Sequence, residues 1–184
     1  LSESLKNEFS NEEEIALLLK VNNVGEANQQ RFKELQAICK NANIQLMQEY
    51  LSDSEMSNLY KLVDCYVSPH RSEGFGLTLA EAMINKTPVI ATNYGGTTDF
   101  LTEETGYPVS YSLKPIEAEI GPYGKDRLWA DIDVRELATK MRAVYLNRAE
   151  ALTKTETAYH QIKESFSSTR IGDLMKSRLD QIKR

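Results

Sequence analysis

Apolar residues along this chain fall into short continuous runs, and the stretches between them carry apolar residues at helical spacing. The first run, Ile15 to Val21, is closed by Asn22, Asn23 and Gly25 and reads as a strand buried on both faces. Asn28 to Asn41 places Phe32, Leu35, Ala37, Ile38 and Cys39 at mostly helical spacing, and Ile44 to Met47 restores a strand. Ser52-Asp53-Ser54-Glu55 has capping-box spacing, a hydroxyl with a carboxylate three residues on, and opens a helix to Leu62. A strand over Cys65 to Ser68, ended by Pro69, a helix from about Gly76 to Asn85 and a strand over Pro88 to Thr92 repeat the pattern. Gly95-Gly96 breaks the chain, a short helix follows near Thr97 to Leu101, and Tyr107 to Tyr111 reads as the last strand. Ser112 to Lys125, with two prolines, two glycines and no periodicity, predicts a loop ended by an anchoring Trp129. A helix is expected over Asp133 to Leu146, and helices broken around Ser167 to Thr169 complete the chain.

Strands alternating with helices predict an α/β fold with a doubly wound, mostly parallel sheet and helices on both faces. At 184 residues the chain has the size of one domain. Its α/β core is expected over 1–148 and its C-terminal helices over 149–184, with no internal repeat.

Charge narrows the partners. Lys and Arg number 22 against 27 Asp and Glu, a net charge of -5, which argues against a nucleic acid held by phosphate neutralisation. With 41% hydrophobic and 27% charged residues the composition is that of a folded globular protein. No apolar run approaches the roughly 18 residues of a membrane span. Cys39 and Cys65 lack metal-ligand spacing and read as plain buried thiols in a reducing cytoplasm. The first residues lack the pattern of a secretion signal, and a start at Leu1 in place of Met points to sequence missing upstream.

Candidate chemistry concentrates in Ser68 to Met83, a strand end, a glycine loop and a helix start. Ligands bind at the carboxyl ends of parallel strands, and free amides at a helix N-terminus, here Gly74 to Thr78, attract a phosphate or diphosphate. Gly74 and Gly76 let the backbone come close. Glu73 and Glu81 stand eight positions apart, one in the loop and one on the helix, where Glu81 shares a face with Leu77 and Thr78. Two carboxylates suit neighbouring hydroxyls, at about 1.5–3 kcal/mol per charged hydrogen bond. The blander reading makes Glu73 a helix cap and Glu81 a solvated residue. His70 and Arg71 read as loop and surface residues, with a cation on Arg71 that a phosphate could use, and Gly95 and Gly96 either border the ligand pocket or merely make the turn.

The series Pro69, Ser72-Glu-Gly-Phe-Gly76, Glu81-Ala-Met83, Pro88-Val-Ile90 and Gly95-Gly96 resembles the donor-binding half of the retaining glycosyltransferases of family 4, often called group 1. The resemblance runs from about Ile15 to Met141 and takes in Leu59-Tyr60, Asp64, Asp99, Trp129-Ala130 and Leu137-Ala138. It implies a Rossmann-like domain, the C-terminal half of a GT-B enzyme, which transfers a sugar from a nucleoside diphosphate sugar to an acceptor hydroxyl with retention. Glu73 matches the glutamate that contacts the transferred sugar, and Glu81 the one that holds the ribose. The amides of Gly74, Phe75, Gly76, Leu77 and Thr78 match the sugar and diphosphate site, and Tyr50 and Leu51 would border the base with Val21 and Asn22 nearby. The implied partners are a UDP- or GDP-linked sugar and the enzyme's own N-terminal domain, and no cofactor or metal is expected.

The chain also departs from that pattern. The N-terminal acceptor domain, a central strand, and the Arg and Lys that neutralise the donor diphosphate have no counterpart here, so the segment alone is expected to bind donor weakly and not to turn over. The implied setting is cytoplasmic polysaccharide assembly, with any membrane contact residing in the other domain. Two enzyme rivals are a nicotinamide-dependent oxidoreductase, whose Gly-x-Gly-x-x-Gly is not found after the first strand, and a nucleotide-sugar epimerase, which the Glu-Gly-Phe-Gly frame fits less well. A non-catalytic module that keeps the fold to bind a nucleotide sugar or a protein is the alternative from another class.

Overall fold

A computed structural model describes residues 4, 8–9, 14–21, 25, 28–40, 43–120 and 123–182. The expectations for Asn22 and Asn23 lie outside these residues; before β1, Ser4 and Glu8 are helical. The elements are β1 (Leu17–Lys20), α1 (Gln29–Lys40), β2 (Ile44–Met47), α2 (Asp53–Leu62), β3 (Tyr66–Ser68), α3 (Leu77–Ile84) and β4 (Val89–Thr92). A 3-10 turn at Gly96–Asp99 leads to β5 (Tyr107–Val109), β6 (Tyr111–Pro115), β7 (Leu128–Ile132), α4 (Val134–Leu146), α5 (Arg148–Ser165) and α6 (Ser168–Ile182).

β4 explains the layering. Its four residues are all buried, and successive side chains point to opposite faces. Val89 and Ala91 pack with Leu79 and Met83 of α3 and Ala158 and Ile162 of α5, whereas Ile90 packs with Leu137 and Val144 of α4. Helices therefore cover both faces, as the continuous apolar run requires. β3, β4 and β5 form a parallel ladder in that order, and β1 pairs in parallel with β2 in a second ladder. The expected parallel α/β architecture is present, but as two separate ladders. Leu17 and Leu19 of β1 pack with Leu35, Cys39 and Met141.

Two local expectations are corrected. Tyr107 to Tyr111 does not hold the last strand, and Ser112 to Lys125 is not simply a loop: β6 and β7 pair as an antiparallel hairpin, with Leu113 opposite Ala130 and Lys114 opposite Trp129. Trp129 lies within β7 and is only half-buried. β6 is exposed along its whole length, so it carries no apolar alternation for a sequence reading to detect.

Caps follow their residues. Ser52 and Glu55 make the reciprocal capping box of α2, and the Asp133 carboxylate accepts from the amides of Arg135 and Glu136 at the start of α4. Cys39 and Cys65 are both free thiols, and burial pushes Cys65 up to about 12, far from reactive. No helix among the described residues is long and apolar enough to cross a membrane.

Candidate functional site

The loop after β3 carries Glu73, and its position is set by the loop after β4. The Gly96 amide donates to the Glu73 carbonyl at 3.4 Å. A Cβ on Gly95 would lie 2.5 Å from that same carbonyl oxygen, and one on Gly96 would run into the carbonyl of Gly74. The double glycine thus lets two backbones touch, a contact that neither of its two sequence readings contained. Gly76 holds φ at 91° as the N-cap of α3, with Thr97 and Phe100 against it.

His70 ties the same two loops together. Its Nε2 lies 2.9 Å from the Tyr94 carbonyl, which can only accept, so Nε2 carries the proton, and Nδ1 lies 3.4 Å from Ser68 Oγ. Thr92 Oγ1 donates to the His70 carbonyl at 2.7 Å. The imidazole is a clamp in this loop, in keeping with its reading as a non-catalytic residue. Arg71 is held elsewhere: its guanidinium bonds Asp131 at 3.2 Å and stacks 4.4 Å from the Trp129 ring. Ala130 donates to the Arg71 carbonyl at 2.9 Å, so the hairpin is stitched to the segment leading into Glu73.

α3 begins without a side-chain cap, and among the described residues no acceptor meets the amides of Leu77 and Thr78. Two donors with the positive end of a helix dipole behind them favour an anion. Glu73 is half-buried, with one carboxylate oxygen 3.2 Å from the Gly74 amide. Gly74, Phe75 and Leu77 are exposed, whereas Gly76 is buried.

A cavity of about 1180 Å³ opens on the other side of α3, between β1 and β3. Thr78, Glu81, Tyr50 and Leu51 line it with Leu17, Leu19 and Val67, whereas Val21, Glu73 and Gly74 to Leu77 do not. Val21 instead donates to Met47 at the end of the first ladder. The predicted residues therefore form two groups: Glu73, the glycine loop and Gly95-Gly96 at the mouth of α3, and Tyr50, Leu51 and Glu81 along the cavity. Thr78 links them. Sequence reasoning gave no role to Tyr60, whose buried ring donates its hydroxyl to Glu81 Oε2 at 3.2 Å, or to Tyr66, whose hydroxyl donates to Thr78 at 2.9 Å. Both pairs join residues far apart in the chain, and only the fold brings them together.

Asp131-Ile132-Asp133 is an Asp-x-Asp sequence. Asp131 is engaged by Lys114 and Arg71, and Asp133 caps α4, so both carboxylates have structural partners. Among the described residues no cluster of His, Cys, Asp or Glu is arranged to hold a metal ion.

Free helix-start amides at the end of a parallel strand, with a carboxylate on either side, are groups whose chemistry suits an anion that bears hydroxyls. Anabaena Alr3699/HepE, solved in complex with UDP and glucose, superposes with a TM-score of 0.74 at 16% identity, over 98% of this chain and 43% of that one. The shared fold is that of a GT-B glycosyltransferase domain. The profile of the family described as Glycosyl transferases group 1 matches residues 11–113, more than half of the chain, and the chain belongs to that family. The lipopolysaccharide core biosynthesis mannosyltransferase LpcC of Rhizobium leguminosarum bv. viciae is 35% identical over 94 residues, 50% of this chain and 27% of that protein. Its counterpart LpsB of Rhizobium meliloti strain 1021 is 48% identical over 50 residues, 26% of this chain and 14% of that protein. The matched stretches thus span about a quarter or less of these curated relatives.

Proposed function

We propose that this chain is the donor-binding half of a glycosyltransferase that moves a sugar from a nucleoside diphosphate sugar to an acceptor hydroxyl with retention, without a metal ion. The observation that carries the reading is the uncapped start of α3, where the Leu77 and Thr78 amides lie between the Glu73 loop and the Glu81 face of one helix. The amides and helix dipole offset the charge of the donor diphosphate as it leaves. Glu73 accepts from hydroxyls of the transferred sugar, and Glu81 from those of the ribose. Tyr50 and Leu51 border the base. HepE's complex with UDP and glucose supports a uridine donor, and a GDP-linked sugar is the other candidate.

The acceptor site belongs to an N-terminal domain of a longer enzyme. A further strand of that enzyme fits between β1 and β3, in a cavity larger than the roughly 300–1,000 Å³ of common small-ligand pockets. The lipopolysaccharide relatives favour an acceptor in glycan assembly.

The test is thermal melting of the purified chain against UDP- and GDP-sugars, with Glu81→Ala as the control. A ligand at a hundredfold excess over its Kd adds about 2.7 kcal/mol, which raises the midpoint of a domain this size by about 5–11 °C. A shift with one nucleotide that Glu81→Ala removes is the expected result. A cooperative melt that no nucleotide sugar moves contradicts donor binding by this chain.

A further inference from the structure

Glu81 does not stand alone on α3. Tyr60, in the last turn of α2, is 4% exposed, and its ring meets Tyr66 edge-on at 5.7 Å. Its backbone carbonyl accepts from Thr87 Oγ1 at 2.7 Å, which pins the residue from behind. From this fixed ring the hydroxyl reaches Glu81 Oε2 at 3.2 Å. Glu81 Oε1 has no partner among the described residues, and Glu81 lines the large cavity with Tyr50 and Leu51. Tyr66 meanwhile donates to Thr78, one turn back on the same helix. Two tyrosines from two different elements therefore hold two adjacent polar residues on one face of α3.

We propose that Tyr60 is a positioning residue for ligand recognition, donating to Oε2 of Glu81 so that Oε1 is held toward the cavity for the hydroxyls of the donor's ribose. The inference rests on the reading of Glu81 as a hydroxyl acceptor and deepens it. A glutamate on an exposed helix face has several rotamers, and a carboxylate that must be fixed at the moment of binding loses part of its gain to that ordering. Tyr60 orders it beforehand. Its hydroxyl stays protonated, because burial and the neighbouring Tyr66 and Glu81 push its pKa up, and it remains a donor at any working pH.

The experiment is calorimetric titration of the chain with UDP and with GDP, for the parent, Tyr60→Phe, Glu81→Gln and the double variant, and with the 2′,3′-dideoxy form of whichever nucleotide binds. Phenylalanine keeps the buried ring, so a cooperative melt close to the parent's is expected. Tyr60→Phe should weaken binding by about three- to tenfold, with no further loss in the Glu81→Gln background and no loss for the dideoxy nucleotide. Parent-like binding by Tyr60→Phe while Glu81→Gln is weakened overturns the positioning role and leaves the donor reading standing. So does an equal loss for the nucleotide and for its dideoxy form, which would mark Tyr60 as merely structural. A parent chain that binds neither nucleotide, or a Glu81→Gln variant that binds like the parent, overturns the donor reading itself and this inference with it.

Discussion

At the scale of the residue, the glycines of the site divide by what a methyl group would meet. Gly96 lies against the Gly74 carbonyl, a backbone atom with no freedom to step aside, whereas nothing lies within 4 Å of a Cβ on Gly74. Gly96→Ala should therefore cost about 1–3 kcal/mol through overpacking and part the two loops, while Gly74→Ala should stay within about 0.5 kcal/mol. Thermal melts of the two variants check this. Equal melting temperatures would mean that the loops are not in contact, and Glu73 would lose its support. The sequence showed Gly95-Gly96 as a break but could not show that the break touches Glu73, because nothing local encodes a contact across more than twenty residues. The Tyr60 to Glu81 bond escaped the reading for the same reason.

At the scale of the element, success and failure follow from where the signal resides. The strand Ile44–Met47 and the capping box at Ser52 were legible because apolar runs and caps are written in consecutive residues. The hairpin of β6 and β7 was not, since β6 is exposed along its whole length and side chains distant in the chain help fasten it. Asp131 accepts from Lys114 and Arg71, and Arg71 stacks on Trp129. The bond from Lys114, with the nearby Arg71 charge, holds the Asp131 carboxyl below the usual carboxylate range. A lowered pKa places this contribution fully above the unfolded value near 3.9, and it is lost as the pH falls through the lower folded value. The hairpin should therefore loosen only on acidification below about pH 4. Trp129 is the one tryptophan in the chain and reports it directly. Its fluorescence should change below that pH in the parent, and Asp131→Asn should show the low-pH signal already at neutral pH. A Trp129 signal flat through the acid range would remove the ion pairs as the hairpin's fastening.

At the scale of the whole molecule, the two parallel ladders are unequal, and the inequality bears on function. β4 has a hydrogen-bonded neighbour on each side and is buried throughout, whereas among the described residues β1 and β2 pair only with each other. A two-stranded ladder is marginal by itself, so amides of β1 and β2 should exchange with deuterium early and those of β4 last. β1 gives its Leu17 amide to Asn43 on the β2 side, and its other edge faces the cavity toward β3. A strand entering there would join the ladders into one sheet and close the space beside Glu81 and Tyr60. A longer polypeptide that supplies such a strand should thus slow exchange in β1 and β3 while leaving β4 unchanged. The same extension should tighten nucleotide binding, since Tyr50, Leu51 and Glu81 line the space that the strand would narrow. Exchange in β1 as slow as in β4 without the added residues would show that the ladders already form one stable unit, and the proposed strand would have no place to go.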